Sequence, residues 1–268
     1  MIRLEGVGLH GGAPSAVVLS ACRGVTVLVH RGVPATLAAL DVRGDERTTV
    51  ARFPGGAEVT SIEHLLAALA GTGAFTGVRA TIEGDELPLL DGAAASLARA
   101  IESVRDRSSD APRARIARTA TIEAHGGRYH FQPATNVERT VEVDYPASRF
   151  GRALRGTASW DGDVASFHAT IAPARTFGAA RELDSLRASG RAAHVPPGVV
   201  VALDVDDPRW APRDAEEPVR HKLLDLIGDL AAVGATLVGS VCAYRPSHRA
   251  SHAALARARA EGVITLPP

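Results

Sequence analysis

Two eleven-residue segments of this chain match each other. The segment from His64, HLLAALAGTGA, aligns without gaps on the segment from Asp225, DLIGDLAAVGA. Leu65/Leu226, Leu69/Leu230, Ala70/Ala231, Gly73/Gly234 and Ala74/Ala235 are identical. Duplication would make the chain two α+β units, with His64 and Asp225 at equivalent positions on equivalent helices. Both are metal-ligand types. The matched residues are common ones, so chance similarity stands as the competing reading.

The 268 residues suit one large domain or two such smaller units. A composition break at Arg105 to Arg118, RDRSSDAPRARIAR, is charged and lacks hydrophobic periodicity. It reads as a linker between domains at 1–108 and 115–268. Before it, Val17–Leu19, Val25–Val29 and Val78–Ile82 read as strands, and 61–70 and 94–104 as helices. After it, Thr119–Glu123 and Arg128–Gln132 flank His125-Gly126-Gly127, a hairpin signal. Strands near 137–143 and 199–204, and helices near 180–189, 219–233 and 250–260, complete the second unit.

Three segments carry residues suited to chemistry. In VRHKLLDLIGDLAAVG, Leu223, Leu226, Ile227 and Leu230 form an apolar helical stripe. His221, Asp225 and Asp229 lie four apart along another face, close enough for an imidazole and a carboxylate to share a cation. An exposed ion pair, with Asp229 a solvated charge, is the alternative. In Thr60-Ser61-Ile62-Glu63-His64, a capping box from Thr60 to Glu63 would account for Glu63 without chemistry. His64 opens an otherwise apolar helix and reads either as a ligand or as a structural histidine. In PSHRASH, Ser247 is placed to cap a helix, and His248 and His252 form either a metal pair or a site residue with an ordinary neighbour.

The turn Gly6-Val7-Gly8-Leu9-His10-Gly11-Gly12 presents His10. Its glycine spacing, with no strand read before it, is wrong for a dinucleotide fingerprint. Thr176, in Ala174-Arg175-Thr176-Phe177-Gly178, either delivers a hydroxyl to a cleft or caps a helix. No serine nucleophile elbow, P-loop or CxxC is present, so the chemistry narrows to histidine, carboxylate and metal.

Thirty basic residues balance thirty acidic ones, which gives no charge surplus for nucleic acid or anionic lipid. The two cysteines, Cys22 and Cys242, form no disulfide scaffold. The opening MIRLEGVGLHGG lacks the apolar core of a signal peptide, and no apolar run is long enough to span a bilayer. A cytoplasmic protein without a membrane span is expected.

Taken together, GVGLHGG, VTSIEHLLAALAGTGAFTGVRATIEGDELPLLDG, APARTFGAARELDSLRASG, PRDAEEPVRHKLLDLIGDL and AYRPSH resemble one family in order across nearly the whole chain. It is the UDP-3-O-acyl-N-acetylglucosamine deacetylase family, zinc enzymes that commit sugar to lipid A synthesis. The resemblance implies two similar α+β domains, each a sheet packed on helices, with the active site between them. It implies metal ligation by His64, His221 and Asp225, leaving a fourth position open as catalytic zinc requires; Fe²⁺ also suits a His₂Asp set. Glu63 matches the family's general base and His248 its general acid, which demotes the His248/His252 metal pair. Thr176 matches an oxyanion-binding hydroxyl, and Lys222 a substrate-contacting lysine. Asp229 matches a residue that orients His248, and His10 and Phe177 fall among substrate contacts. The implied partner is a UDP-linked acylated amino sugar, and the implied reaction is hydrolysis of its N-acetyl amide.

The departures cluster in the lipid-reading part. Ala179 stands where the family usually has Phe after TFG, and Ala93 where it has Ser after DG. Ala192-Ala193-His194-Val195-Pro196-Pro197 replaces a glycine-rich stretch beside the acyl passage. The family's opening strand is expected to be missing or shortened. These changes leave open a paralogue acting on another N-acyl sugar or small amide, and a catalytically silent metal-dependent binding protein.

Overall fold

The computed structural model describes residues 1–45, 47–181, 188, 195–196 and 198–266. Period-two burial sets the long strands. In Gly127–Gln132, Tyr129 and Phe131 are buried while Arg128, His130 and Gln132 face water. Val137–Tyr145 buries Arg139, Val141, Val143 and Tyr145 in the same way. A sheet with one apolar face must be covered, and helices cover it here.

Among the described residues two large sheets form, one from each half of the chain, beside two small ones of two and three strands. The first orders Ile2–Val7, Pro14–Val25, Thr76–Glu83, Val27–His30 and Val33–Thr36. Its central Thr76–Glu83 runs antiparallel to Pro14–Val25 and parallel to Val27–His30. The second orders Ala120–Ala124, Gly127–Gln132, Thr236–Tyr244, Val137–Tyr145 and Leu154–Trp160. Its central Thr236–Tyr244 is likewise antiparallel to Gly127–Gln132 and parallel to Val137–Tyr145. Order and direction are the same in both, so the repeat seen in the sequence is a repeat of topology, and the class is α+β. Gly73 and Gly234 stand one residue before the end of the matched segments, with left-handed φ of 68° and 78°, and each leads towards its central strand.

The matched helices, Glu63–Gly71 and Glu217–Ala231, pack on each other between the sheets. Gly228 permits the close crossing, because a Cβ there would lie 2.3 Å from the Glu63 carbonyl oxygen. One continuous apolar core joins both halves. Among the described residues, no helix is long and apolar enough to cross a membrane.

Several local expectations shift. Ile2–Val7 is a strand, so a strand does precede the glycine-rich turn; it pairs with the strand after the turn rather than feeding a helix. Val17–Leu19 belongs to one long strand, Pro14–Val25, with a register irregularity between Ala21 and Val25. Within the stretch read as linker, Arg113–Ile116 is a strand paired with Thr236–Val238 and Ile264–Thr265. Its alternation, arginines out and Ala114 and Ile116 in, spans only four residues and is masked by charge. The strand near 199–204 shrinks to Val201–Ala202. The helix near 180–189 falls largely outside the described residues. The hairpin at His125-Gly126 forms as read, with φ of 45° and 80° at the two turn positions. Ser247 caps His248–Ala260, its hydroxyl accepting from the Ala250 N–H.

Candidate metal centre and active site

His64 sits in the first turn of its helix, and His221 and Asp225 lie one turn apart on the helix that crosses it. One ligand atom from each falls within a mutual 4.8 Å. His221 Nε2 is 3.4 Å from Asp225 Oδ1, and His64 Nε2 is 4.0 Å from the same oxygen. Donors on a tetrahedral cation with bonds of about 2.0–2.1 Å stand roughly 3.4 Å apart, which His221 and Asp225 match, while His64 stands somewhat farther out. The chemistry of the donors fits too. His221 Nδ1 donates to the Ala174 carbonyl at 2.9 Å, which leaves Nε2 without a proton and facing the cluster. Burial and the neighbouring His221 push the His64 imidazole down to about 4, so it too is neutral. Burial alone would raise the Asp225 carboxyl, but the Lys222 ammonium beside it and the charge of His248 outweigh burial and hold the group ionised. Lys222 Nζ takes Asp225 Oδ2 at 2.5 Å, leaving Oδ1 towards the histidines. Two neutral imidazoles and one carboxylate, with His221 and Asp225 each oriented by a second partner, are a donor set suited to a divalent cation.

The expected capping box does not form. The residue before the helix is Ile62, and Thr60 Oγ1 bonds the Asp85 carbonyl instead. Ser61, at φ 58°, turns the chain so that Glu63 points away from the Thr60 amide. The buried Glu63 carboxylate is held by a neighbouring strand. Thr48 Oγ1 reaches both oxygens at 3.1 and 3.0 Å, and the Thr49 N–H donates to Oε2 at 2.9 Å. Oε2 is doubly served, so Oε1 is the oxygen with a lone pair to spare. Burial raises the Glu63 pKa, opposed by the charge of His248 and the Thr49 N–H.

His248 faces Asp229, with Nδ1 to Oδ1 at 2.8 Å. Burial works against a charged ring, but Asp229 and Asp225 overcome it and push His248 up to about 10. Its Nε2 lies 3.9 Å from Asp225 Oδ2, beside the metal set. Asp229 is 1% exposed, which excludes the reading of a solvated charge. His252 does not pair with His248 around a cation. Its Nε2 turns to Asp229 Oδ1 at 3.3 Å and Thr49 Oγ1 at 3.1 Å.

These groups share a cavity of about 910 Å³. His10, Thr176, Phe177 and Lys222 all line it, so every site residue expected from the sequence reaches one place except Asp229, which stands behind His248. Thr176 caps no helix among the described residues. It precedes the short strand Phe177–Gly178, its amide bonded to the Gly92 carbonyl and its own carbonyl to the Val201 amide. Phe177 packs edge-on against His221 at 5.8 Å. His10 is held by Glu86, which accepts from the amides of His10 and Gly11 and meets the His10 ring at 3.0 Å. Arg47, Arg149, Arg245 and Arg249 give the same cavity a cationic wall; Leu9, Leu89, Leu97, Phe150 and Val200 give it an apolar one.

Thr48, Thr49 and Glu86 carry no signal in the sequence that separates them from ordinary strand and loop residues. The buried pair Arg175–Glu217, bidentate at 2.8 and 2.8 Å, was also missed. Its partners lie 42 positions apart, and nothing in the local pattern joins them.

A His₂Asp group able to hold a metal, a buried carboxylate and a buried histidine share one cavity, a constellation of the kind found in metal-dependent hydrolases. The model of the UDP-3-O-acyl N-acetylglycosamine deacetylases matches residues 1–259. The chain is 35% identical to the UDP-3-O-acyl-N-acetylglucosamine deacetylase of Thermosynechococcus vestitus, over 96% of this chain and 90% of that protein. It is 33% identical to the enzyme of the same name from Brucella melitensis, over 92% and 89%. The chain belongs to the UDP-3-O-acyl-N-acetylglucosamine deacetylase family.

Proposed function

We propose that this chain hydrolyses the N-acetyl amide of a UDP-3-O-acyl-N-acetylglucosamine, releasing acetate and the free amino sugar for lipid A synthesis in the cytoplasm. Its halves, 1–108 and 115–268, act as duplicated units that each contribute one helix to the site. The observation that carries the reading is the pairing of Glu63 and His248 around His64, His221 and Asp225 in one cavity.

His64, His221 and Asp225 would hold zinc, with Fe²⁺ the second candidate for such a set. When bound, the cation polarises the amide carbonyl and lowers the pKa of a water molecule. Glu63 would take the proton of the attacking water; burial raises the carboxyl's pKa towards a working base. The Thr176 hydroxyl, in the cavity wall, donates to the carbonyl oxygen as charge develops there. His248, its Nδ1 committed to Asp229, carries its transferable proton on Nε2 and gives it to the departing sugar nitrogen. Lys222 holds Asp225 and presents a positive charge to the substrate. His10 and Phe177 contact the sugar end, and the arginine wall complements a nucleotide diphosphate.

The apolar wall supports an acyl chain as part of the substrate. Ala179, buried at 2% exposure, removes an aromatic ring from that wall, and we infer weak dependence on acyl length. The test of the whole reading is acetate release from the acylated UDP-sugar by purified protein, with and without chelator.

A further inference from the structure

Strand Thr49–Arg52 starts at the point where both proton-transfer groups are anchored. Thr48 Oγ1 bonds both oxygens of Glu63, and the Thr49 N–H bonds Oε2. The hydroxyl of the same Thr49 donates to Asp229 Oδ1 at 2.8 Å, and Asp229 in turn fixes His248. We propose that the Thr48–Thr49 dipeptide positions both groups, seating the Glu63 carboxylate directly and the His248 imidazole through Asp229.

Proton counting supports the assignment. The Thr49 hydroxyl has one hydrogen, and Asp229, an anion well below the ordinary carboxylate range, can only accept it. The same hydroxyl oxygen lies 3.1 Å from His252 Nε2 and 3.4 Å from His248 Nδ1, so it sits between the carboxylate and both rings. Asp229 Oδ1 then collects donors from Thr49 and His248, and His252 stands 3.3 Å away. All four side chains are buried: Thr49 is 0%, Asp229 1%, His248 7% and His252 8% exposed.

The two anchors are one peptide apart, so base and acid cannot be displaced independently. Glu63 comes from one helix, Asp229 from the helix crossing it, and His248 from a third. A separate strand that touches two of these and reaches the third sets the spacing across the scissile bond more tightly than the helices alone. Positioning of this kind acts on turnover rather than on substrate binding.

The inference rests on the proposed deacetylation and is tested on metal-loaded, full-length protein by steady-state acetate release. Thr49→Val should lower kcat about 10- to 100-fold, with KM within threefold and metal content unchanged. Thr49→Ser, which keeps the hydroxyl, should return kcat to within threefold of wild type. Thr48→Val and Thr48→Ser should form a second such pair through Glu63, and they carry the test if Thr49→Val does not fold. An active wild type with equally active valine variants overturns the inference alone. So does a serine variant as slow as its valine counterpart. A wild type that releases no acetate overturns the deacetylation reading and the inference with it.

Discussion

At the scale of single residues, the account turns on which atoms are free. His221 and Asp225 are each oriented by a second partner, Ala174 and Lys222, that leaves one donor atom facing the cluster. His221→Ala or Asp225→Ala should therefore lose the bound divalent metal, read by elemental analysis of purified protein. Full stoichiometry in both variants would remove the metal assignment. Glu63 is not placed as a ligand, so Glu63→Gln should keep the metal while turnover falls about 10²–10⁴-fold. For His248 the sign follows from its raised pKa. With His248 as the proposed acid, its protonated ring is the working form, and activity is expected to persist as pH rises and to be lost through a value near 10. The same shift stabilises the fold fully below the unfolded imidazole value of about 6.5, and that stabilisation is lost as pH rises through about 10. Asp229 is the largest neighbour raising it, so Asp229→Asn should move the alkaline limb of the rate profile to lower pH by a unit or more. A limb that stays in place would mean that His248 does not set it. Residue types were legible in the sequence where spacing is local, as for His221 and Asp225. Thr48, Thr49 and Glu86 were not, because a threonine hydroxyl or loop carboxylate acquires its role only from what a distant segment brings to it.

At the scale of elements, the crossing of Glu63–Gly71 with Glu217–Ala231 brings His64 to His221 and Asp225, the proposed metal ligands. A Cβ at Gly228 would meet the Glu63 carbonyl at 2.3 Å, backbone against backbone. Gly228→Ala should cost about 1–3 kcal/mol of stability and weaken metal binding together, measured by denaturant unfolding and metal titration. Loss of stability with unaltered metal affinity would separate the crossing from the site. The first turn of the second helix is fixed by Glu217, held by Arg175 beside Thr176. Burial would raise the Glu217 carboxyl, but the Arg175 guanidinium and the Arg213 and Arg175 amides lower it below its ordinary value. Its contribution is thus present above the unfolded carboxylate pKa and lost as pH falls. Glu217→Ala should cost about 3–5 kcal/mol near neutral pH, and the gap from wild type should narrow below pH of about 4. The two helices were readable because each repeats apolar residues at helical spacing over several turns. The strand Arg113–Ile116 and the Asp41–Gly44, Thr49–Arg52 and Glu58–Val59 sheet were not, since two to four residues carry too little alternation to stand out from turns. The capping box failed for another reason: Ser61 takes a left-handed backbone, which no three-residue spacing can foresee.

At the scale of the whole molecule, duplication was legible because both copies keep the same apolar helix and the same glycine before the central strand. The shared sheet order was not visible, since pairing partners depend on contacts far along the chain. The cavity lies where the halves meet and has a cationic and an apolar wall, as a nucleotide sugar with an acyl chain requires. Acyl preference is a property of that whole wall. With Ala179 in it, kcat/KM should vary by less than about 100-fold between long- and short-chain substrates, the worth of roughly three buried methylenes. A larger preference for the long chain would show a passage that reads the chain along its length. The central claim, metal-dependent deacetylation, has one direct measurement: acetate released from UDP-3-O-acyl-N-acetylglucosamine by the purified protein before chelation, after chelation, and after zinc is returned. The account predicts release, its loss, and its recovery, with no recovery in Asp225→Ala. Release that survives full removal of the metal, or none from the metal-loaded protein, would contradict it.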